Sequence, residues 1–249
     1  MLSPLRPLFQ DRCKIVIVSE NKHSRQVVSS QPEIHPRLES ILETHLSCEW
    51  QAPMHEHSTI AFQALERIIA DAANIAGAGL VLDSGCGTGE STRTIARTFP
   101  DCLVIGVDKS QVRLTRTGAS SFPHCEGNAI WLRAELSTFW RLAYRAGWRL
   151  QHHFLLYPNP WPKPGQLRRR WHAHPVFPDL LRLGGQLEMR CNWEIYALEF
   201  AAAANRALGT RAKPRPLSES AITTPFERKY RASGHALYSV SVSCDAGAV

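Results

Sequence analysis

Short apolar runs alternate with helical patterns through most of this 249-residue chain, and this alternation constrains the fold more than any other feature. Five runs have the length and flanking turn residues of strands: GLVLDSG, DCLVIGVDKS, NAIWLRAE, HHFLLYPN and GGQLEMRCN. Strands separated by helices predict βαβ units, and therefore an α/β fold with a mostly parallel sheet. A last run, HALYSVSVSC, leaves no room for a helix before it, so we place it as an antiparallel strand of the same sheet.

The chain before the first strand divides into an irregular part and a helical part. Residues 1–50 are mixed and turn-rich, and only PRLESILETHL has the apolar spacing of a helix. From Ser58 to Ala76 the pattern is that of an amphipathic helix, with Ser58 or Thr59 as its N-cap. We therefore expect a partly irregular extension over residues 1–50 and one α/β domain over residues 51–249.

Three glycines follow the first predicted strand and precede a helix, in VLDSGCGTGES: Gly85, Gly87 and Gly89. Glycines at this place let the backbone turn sharply and approach a ligand closely. The spacing is not G-x-x-x-x-G-K-[ST], which excludes a P-loop. The alternative is a turn that only packs the helix against the strand.

Acidic residues stand at the ends of the first three strands and favour one cofactor over another. Asp108 closes the second strand, where the ribose diol of a nucleotide-like cofactor would be bound. Asp83 would repel the pyrophosphate of NAD but suits S-adenosylmethionine (AdoMet), which carries an amine and a sulfonium. With Glu135 after the third strand, the predicted AdoMet site comprises Asp83, Gly85, Gly87, Gly89, Asp108 and Glu135.

Composition limits the class of protein. The net charge of +7 and the pI near 9.2 fit a polyanionic partner such as RNA. The seven cysteines are scattered without a C-x-x-C, which argues against a disulfide framework and a zinc site and favours a reducing compartment. No apolar run reaches membrane length and the first residues lack a signal-peptide core, so we expect a soluble, cytoplasmic protein without metal.

The segment YPNPWPKPGQLRRRW, Tyr157 to Trp171, resembles FPDPWxKxxHxKRR of the tRNA (guanine-N7-)-methyltransferase family. Two later segments continue the resemblance: GGQLEMRCNWEIYALEF is similar to GGxLxxxTDWExYAxxM, and TTPFERKYRASGHALYSVSV to TxFExRxxxxGHxVxxLxF. Together they cover roughly residues 75 to 243 in the family's order.

The resemblance implies a Rossmann-like class I methyltransferase fold, with a mostly parallel seven-stranded sheet, an antiparallel C-terminal strand and helices on both faces. It implies AdoMet as methyl donor and tRNA, or another structured RNA, as partner of a monomer or homodimer. Asn159 then occupies the catalytic position and also touches the cofactor. The residues placed at the substrate are Lys163, Arg168, Arg169, Arg170, Asn192, Thr224, Phe226 and Glu227.

Physical chemistry supports this use of the proline-rich loop. A guanine must leave its stack before its N7 can meet a methyl donor, and four prolines hold the loop's groups at little ordering cost. The basic side chains are placed to meet phosphates, and Trp161 to pack the loop or stack a base. The alternative for the arginine run is a solvated helix face, and for Glu227 a salt bridge to Arg228 or Lys229.

The chain departs from the family pattern at several positions. Asn159 and Asn192 stand where the family has aspartates, Cys191 replaces a threonine, and LDSGCGTG replaces E-x-G-x-G-x-G. Guanine N7 has a lone pair and no proton to remove, so positioning alone can support methylation, although each lost charge weakens a contact by about 1–2 kcal/mol. Three hypotheses follow: a guanine-N7 methyltransferase that has diverged, a methyltransferase with another RNA or small-molecule acceptor, and a weakened RNA-binding paralogue.

Overall fold

A computed structural model describes residues 24–73, 79–218 and 224–244. The strands are β1 Gly79–Ser84, β2 Cys102–Asp108, β3 His124–Glu126, β4 Ala129–Arg133, β5 Leu150–Leu156, β6 Gly185–Cys191, β7 Arg215–Pro216 and β8 Tyr238–Cys244. The α-helices are α1 Leu38–Ser47, α2 Glu56–Ala73, α3 Glu90–Thr98, α4 Gln111–Leu114, α5 Leu136–Arg145, α6 Phe177–Arg182, α7 Glu194–Leu208 and α8 Pro225–Ala232. Short 3-10 helices cover Thr115–Thr117, Pro164–Arg169 and Trp171–Ala173.

The sheet has the order β3-β4-β2-β1-β5-β6-β8-β7. The five strands predicted from apolar runs are its parallel centre, and β8 pairs antiparallel with β6, as expected. The number of strands differs from the expectation: the described residues form eight strands, whereas the resemblance implied seven. The short strands β3 and β7 pair antiparallel at the two edges of the sheet. Neither contains an apolar run from which it could have been predicted.

Successive residues of the central strands supply two apolar layers, one on each face of the sheet. Leu82 and Ile105 lie in a large cluster that includes side chains of α2, α5, α6 and α7. Val81 and Val104 lie in a second cluster with side chains of α3 and α4. A strand buried on both faces reads as a continuous apolar run, which explains why these segments could be recognised in the sequence.

The two N-terminal helices lie near their predicted positions. α1 buries Leu38, Ile41 and Leu42, as its spacing indicated. α2 begins at Glu56, two residues before the predicted start, and the last three residues of the prediction lie outside the described ranges. The predicted N-cap is wrong: Ser58 is inside the helix and buried, and its hydroxyl accepts a hydrogen bond from the Glu135 amide at 2.9 Å.

Residues 24–37 cross the surface of the α/β unit without regular structure and are attached at several points. The Ser24 amide donates to Ser233 Oγ at 2.8 Å, and the Ser29 hydroxyl donates to the Pro162 carbonyl. The division of the chain at residue 50 stays a prediction. Within the described part of the chain, no helix combines the length and the apolar character needed to cross a membrane.

Candidate active site

The candidate site lies at the carboxyl ends of the parallel strands. From β1 the chain continues to β2 and β4 on one side of the sheet, and then to β5 and β6 on the other. The crevice beyond β1 and β5, where this direction reverses, is the usual ligand position of open α/β sheets. Ser84 is in register with Leu155, so the glycine loop after β1 and the proline-rich loop after β5 begin side by side.

The glycine loop is attached to the end of β2. The amides of Gly85 and Cys86 both donate to the Val107 carbonyl, and the Gly87 amide donates to Asp108 Oδ2 at 3.0 Å. Gly89 has a φ of 75°, and a Cβ there would lie 2.4 Å from Trp131 Nε1. Gly87 has a φ of 59° and is buried, but a Cβ there would meet no atom within 4 Å apart from those of its chain neighbours.

Asp83 is a buried carboxylate with one oxygen to spare. The hydroxyls of Ser91 and Thr92 donate to Oδ2 at 2.7 and 2.8 Å, whereas Oδ1 has no hydrogen-bond partner among the described residues. Burial raises the pKa of Asp83 to about 6, against the two hydroxyl donors. A buried, unpaired carboxylate oxygen is costly unless a donor or cation approaches it.

Asp108 closes β2 and lies beside a small cavity. Its Oδ1 accepts from the Ser110 amide at 2.8 Å, and Arg113 Nη1 lies 3.4 Å from Oδ2. The cavity, of about 180 Å³, lies at the ends of β2 and β4 and is lined by His55, His57, Ser58, Lys109, Arg133, Ala134 and Glu135. The Glu135 carboxylate itself caps α5 by accepting from the Ser137 amide at 2.7 Å.

The proline-rich loop holds Asn159 between two residues of unusual backbone conformation. Tyr157 and Trp161 have φ values of 53° and 45°, which are strained for residues with a side chain. Asn159 is exposed, and its side chain makes no hydrogen bond within the described residues. Such strain persists only where surrounding contacts impose it, and here Arg170 Nε donates to the Trp161 carbonyl at 3.2 Å.

The basic residues of the proline-rich loop differ in their exposure to solvent. Lys163, Arg168 and Arg169 are exposed, and the Arg169 guanidinium lies 4.9 Å from the centre of the Trp161 ring. Trp161 therefore packs against its own loop. Arg170 differs from the prediction because its side chain is fully buried and ion-paired, so it is not available to a substrate phosphate.

A buried polar cluster surrounds Glu199 of α7, and we call its members, Gln31, His35, Arg170, His172 and Glu199, the Glu199 cluster. Arg170 Nη1 lies 2.5 Å from Glu199 Oε2, and Gln31 Nε2 and the His35 amide donate to Oε1 at 2.7 and 3.0 Å. Burial lowers the pKa of His172, so we assign a neutral ring that donates from Nε2 to Glu199 at 2.9 Å. The cluster joins residues 24–37, the proline-rich loop and α7.

Asn192 is half-buried and bonded within the protein. His235 Nε2 faces the Ser24 carbonyl at 2.9 Å, and a carbonyl can only accept, so we assign the ring proton to Nε2. His235 Nδ1 then accepts a hydrogen bond from Asn192 Nδ2 at 3.1 Å. Asn192, His235 and Ser24 thus form a chain of two hydrogen bonds, which we call the relay. Its direction, from the Asn192 amide through the His235 ring to the Ser24 carbonyl, is fixed because that carbonyl can only accept.

The other substrate residues predicted by resemblance lie at the start of α8. The Thr224 hydroxyl caps the helix by accepting from the Glu227 amide at 3.0 Å, and Phe226 is exposed. Glu227 is buried and paired with Arg190 at 3.1 Å and Arg231 at 3.2 Å, not with Arg228 or Lys229. Its carboxylate therefore supports α8 against β6.

Comparison with known proteins identifies the family. A family model described as "Putative methyltransferase" matches residues 78–240, which is more than half of the chain. The chain belongs to this methyltransferase family. Its relatives include the tRNA (guanine-N(7)-)-methyltransferase of Acidithiobacillus ferrooxidans, 28% identical over 64% of this chain and 73% of that protein. The enzyme of the same description from Pseudomonas paraeruginosa is 30% identical over 62% of this chain and 66% of that protein.

Solved structures show the same fold. The structure of a 16S rRNA methyltransferase superposes on 77% of this chain and 95% of that chain, with a TM-score of 0.51 and 17% identity. The structure of an antibiotic-related methyltransferase superposes on 78% of this chain and 96% of that chain, with a TM-score of 0.52 and 13% identity. The class I methyltransferase fold expected from the resemblance is thereby confirmed.

Two residues of this methyltransferase that organise the site were not singled out from the sequence. Glu199 is the only charged residue in IYALEFAAAA, and a lone charge in an apolar helix indicates a buried polar partner. His235 stands in the Gly-His pair that carried part of the resemblance. Their partners lie up to 211 positions away along the chain, so no local pattern could have named them.

Proposed function

We propose that this methyltransferase uses AdoMet and transfers the methyl group to N7 of a guanine in tRNA. One observation carries the proposal: the glycine loop with Asp83 and Asp108 lies beside the loop that exposes Asn159, Lys163, Arg168 and Arg169, and these basic side chains have no ion pair within the described parts of the chain. The names of the relatives agree with this arrangement, because they describe enzymes that methylate guanine N7 of tRNA.

The residues after β1 and β2 fit AdoMet. Asp83 Oδ1 is a buried acceptor without a partner, suited to the cationic methionine end, and Asp108 offers a carboxylate at the tip of β2 for the ribose hydroxyls. The space that a Cβ at Gly87 would occupy is empty, which leaves room beside the loop for part of the cofactor. When bound, AdoMet supplies an electrophilic methyl group on a sulfonium.

The chain's own residues would position the acceptor. Guanine N7 carries a lone pair and needs no base, so the rate depends on orientation. The Asn159 carbonyl can accept a hydrogen bond from a guanine N–H, and the exposed Lys163, Arg168 and Arg169 can meet phosphates of the RNA.

A second candidate is methyl transfer to a different acceptor. The observation that favours it is the state of Asn192 and Glu227, whose polar groups are bonded to His235 and Arg190. Two residues that the family resemblance places at the substrate are thus occupied inside the protein.

Incubation with labelled AdoMet and total tRNA, followed by nucleoside analysis, tests the proposal. We expect label in 7-methylguanosine. Label in another nucleoside would favour the second candidate. AdoMet binding without label transfer to tRNA would contradict tRNA methylation, and absence of AdoMet binding would contradict the methyltransferase activity itself.

Asn159→Asp should raise guanine-N7 methylation, by about tenfold at most. A carboxylate forms charge-assisted contacts roughly twice as strong as those of an amide, and about 1.4 kcal/mol corresponds to tenfold in rate. The exposed position makes the desolvation cost of the new charge small. Single-turnover rates with saturating AdoMet measure the effect.

Asn192→Asp is the matched control for that substitution. It adds the same charge at a half-buried position whose amide is already bonded to His235, so we expect a smaller gain or a loss. An equal or larger gain from Asn192→Asp would contradict the placement of Asn159 at the acceptor.

A further inference from the structure

A second basic surface lies at the far edge of the sheet, where β7 joins β8. A cavity of about 400 Å³ is lined there by Arg211, Lys213 and Arg215 on one side and by Ser239 and Ser241 on the other. We call these five residues the edge pocket. None of the five is among the residues assigned above to the acceptor.

The backbone of the edge pocket is held rigidly. Asn205 at the end of α7 accepts from the Ala212 amide at 2.7 Å and donates to the Ala212 carbonyl at 2.9 Å. Arg215 pairs with β8, and Pro214 and Pro216 restrict φ on either side of it. Side chains that project from a fixed backbone lose less entropy when they bind.

The basic side chains of the edge pocket differ from Arg190 in their ion pairing. Among the described residues, no ion pair includes Arg211, Lys213 or Arg215, whereas Arg190 on the same face of the sheet is paired with Glu188 and Glu227. Ser239 and Ser241 point away from the core side of β8, whose buried residues include Val240 and Val242. Two guanidinium groups, an ammonium and two hydroxyls therefore surround one open cavity.

Sheet register places part of the edge pocket level with the carboxyl end of β6, the end of the strands at which the candidate site lies. Arg215 is in register with Ser239, and Ser239 is in register with Arg190 at the end of β6. Two strand spacings amount to about 10 Å. An RNA strand that enters the site beyond β5 and β6 would pass the edge pocket within a few nucleotides.

We propose that the edge pocket binds the phosphodiester backbone of the RNA substrate, as a contact separate from Lys163, Arg168 and Arg169. The inference rests on the proposed function. Guanidinium groups match phosphate oxygens in paired geometry, and hydroxyls and backbone amides add donors. Such a contact carries no base specificity and fixes the position of the RNA relative to Asn159.

The salt dependence of tRNA binding tests the edge pocket. In Arg211→Gln/Arg215→Gln the slope of log affinity against log salt should flatten by about 1.4–1.8, at about 0.7–0.9 per lost contact. The affinity lost between 50 and 200 mM salt should then be about tenfold smaller than in the wild type. Anisotropy of labelled tRNA gives the slope, and calorimetry with AdoMet should show unchanged cofactor binding.

Arg97→Gln/Arg149→Gln is the matched control, because it removes the same charge from two exposed arginines near the amino ends of β2 and β5. Its slope should equal that of the wild type. Equal slopes in both double variants would overturn the edge pocket while leaving the proposed function intact. Absence of any tRNA binding by the wild type would overturn both. Polyglutamate serves as a second probe. If Arg211→Gln/Arg215→Gln lost the polyglutamate binding of the wild type but kept the wild-type salt slope for tRNA, the edge pocket would be assigned to an acidic polypeptide and the proposal would be overturned.

Discussion

Glu199→Gln should lower the free energy of unfolding by about 3–5 kcal/mol, the usual cost of removing one partner from a buried ion pair. The side chains of Arg170 and Glu199 are both fully buried. In the variant, Arg170 would therefore keep its charge in a buried position without a counter-ion in the Glu199 cluster. The loss should be visible in urea denaturation at neutral pH. It should also loosen the proline-rich loop, since Arg170 holds the Trp161 carbonyl.

Acid should reduce this difference between variant and wild type. Burial opposes ionisation of Glu199, but the hydrogen bonds from His172 and Arg170, the His172 charge once its ring is protonated in acid, and the Arg170 charge prevail and lower its pKa to about 2. A carboxyl with a depressed pKa stabilises the fold above its unfolded value of 4.5 and loses that contribution as the pH falls towards 2. The two proteins should therefore converge in stability over this interval.

Glu43→Gln is the control for Glu199→Gln. Glu43 pairs with Arg206 at 3.2 Å, with both side chains about half exposed, and such pairs contribute at most about 1 kcal/mol. A loss below 1 kcal/mol in both variants would contradict the assignment of the Glu199 cluster as the attachment point of the loop.

Asp108→Ala should weaken AdoMet binding by about 1.5–3 kcal/mol, the range for a hydrogen bond to a charged group. The dissociation constant would rise about 10- to 150-fold. The substitution removes the proposed ribose contact and also the acceptor for the Gly87 and Ser110 amides, so the glycine loop loses part of its support. Asp108→Asn keeps one acceptor oxygen and should show a smaller loss in calorimetry.

Asp101→Ala provides the comparison for Asp108→Ala. Asp101 is exposed and precedes β2, at the opposite edge of the sheet. Its loss should leave AdoMet affinity unchanged. Wild-type affinity in Asp108→Ala would remove Asp108 from the cofactor site.

The central strands and the glycine loop could be predicted because their signals are local. A strand buried on both faces needs apolar residues throughout, and the loop needs glycine where a Cβ would meet Trp131 or where φ is positive. The edge strands β3 and β7 have no such requirement, because they are short and mostly exposed. Their pairing depends on β4 and β8, which the sequence around them does not reveal.

The roles of the arginines could not be predicted for a related reason. Arg168, Arg169 and Arg170 are chemically identical neighbours, but a short 3-10 helix ends at Arg169 and turns only the next side chain inward. Glu199, the counter-ion of Arg170, is 29 positions away along the chain, and Gln31, which also bonds to Arg170, is 139 positions away. The direction of each side chain is therefore a property of the whole fold.

The relay from Asn192 through His235 to Ser24 makes the two asparagines unequal in evolutionary terms. Asn159 stands alone in solvent, and a mutation there can be reversed without a change in any neighbour. At position 192 a carboxylate would meet the lone pair of His235 Nδ1, because the ring proton is committed to the Ser24 carbonyl. The amide at 192 is thus entrenched: a lineage that returned to aspartate would first need a second proton on the ring or a different neighbour for it. A return to the two aspartates therefore has an order: position 159 can change at any time, whereas position 192 can change only after the surroundings of His235 have changed.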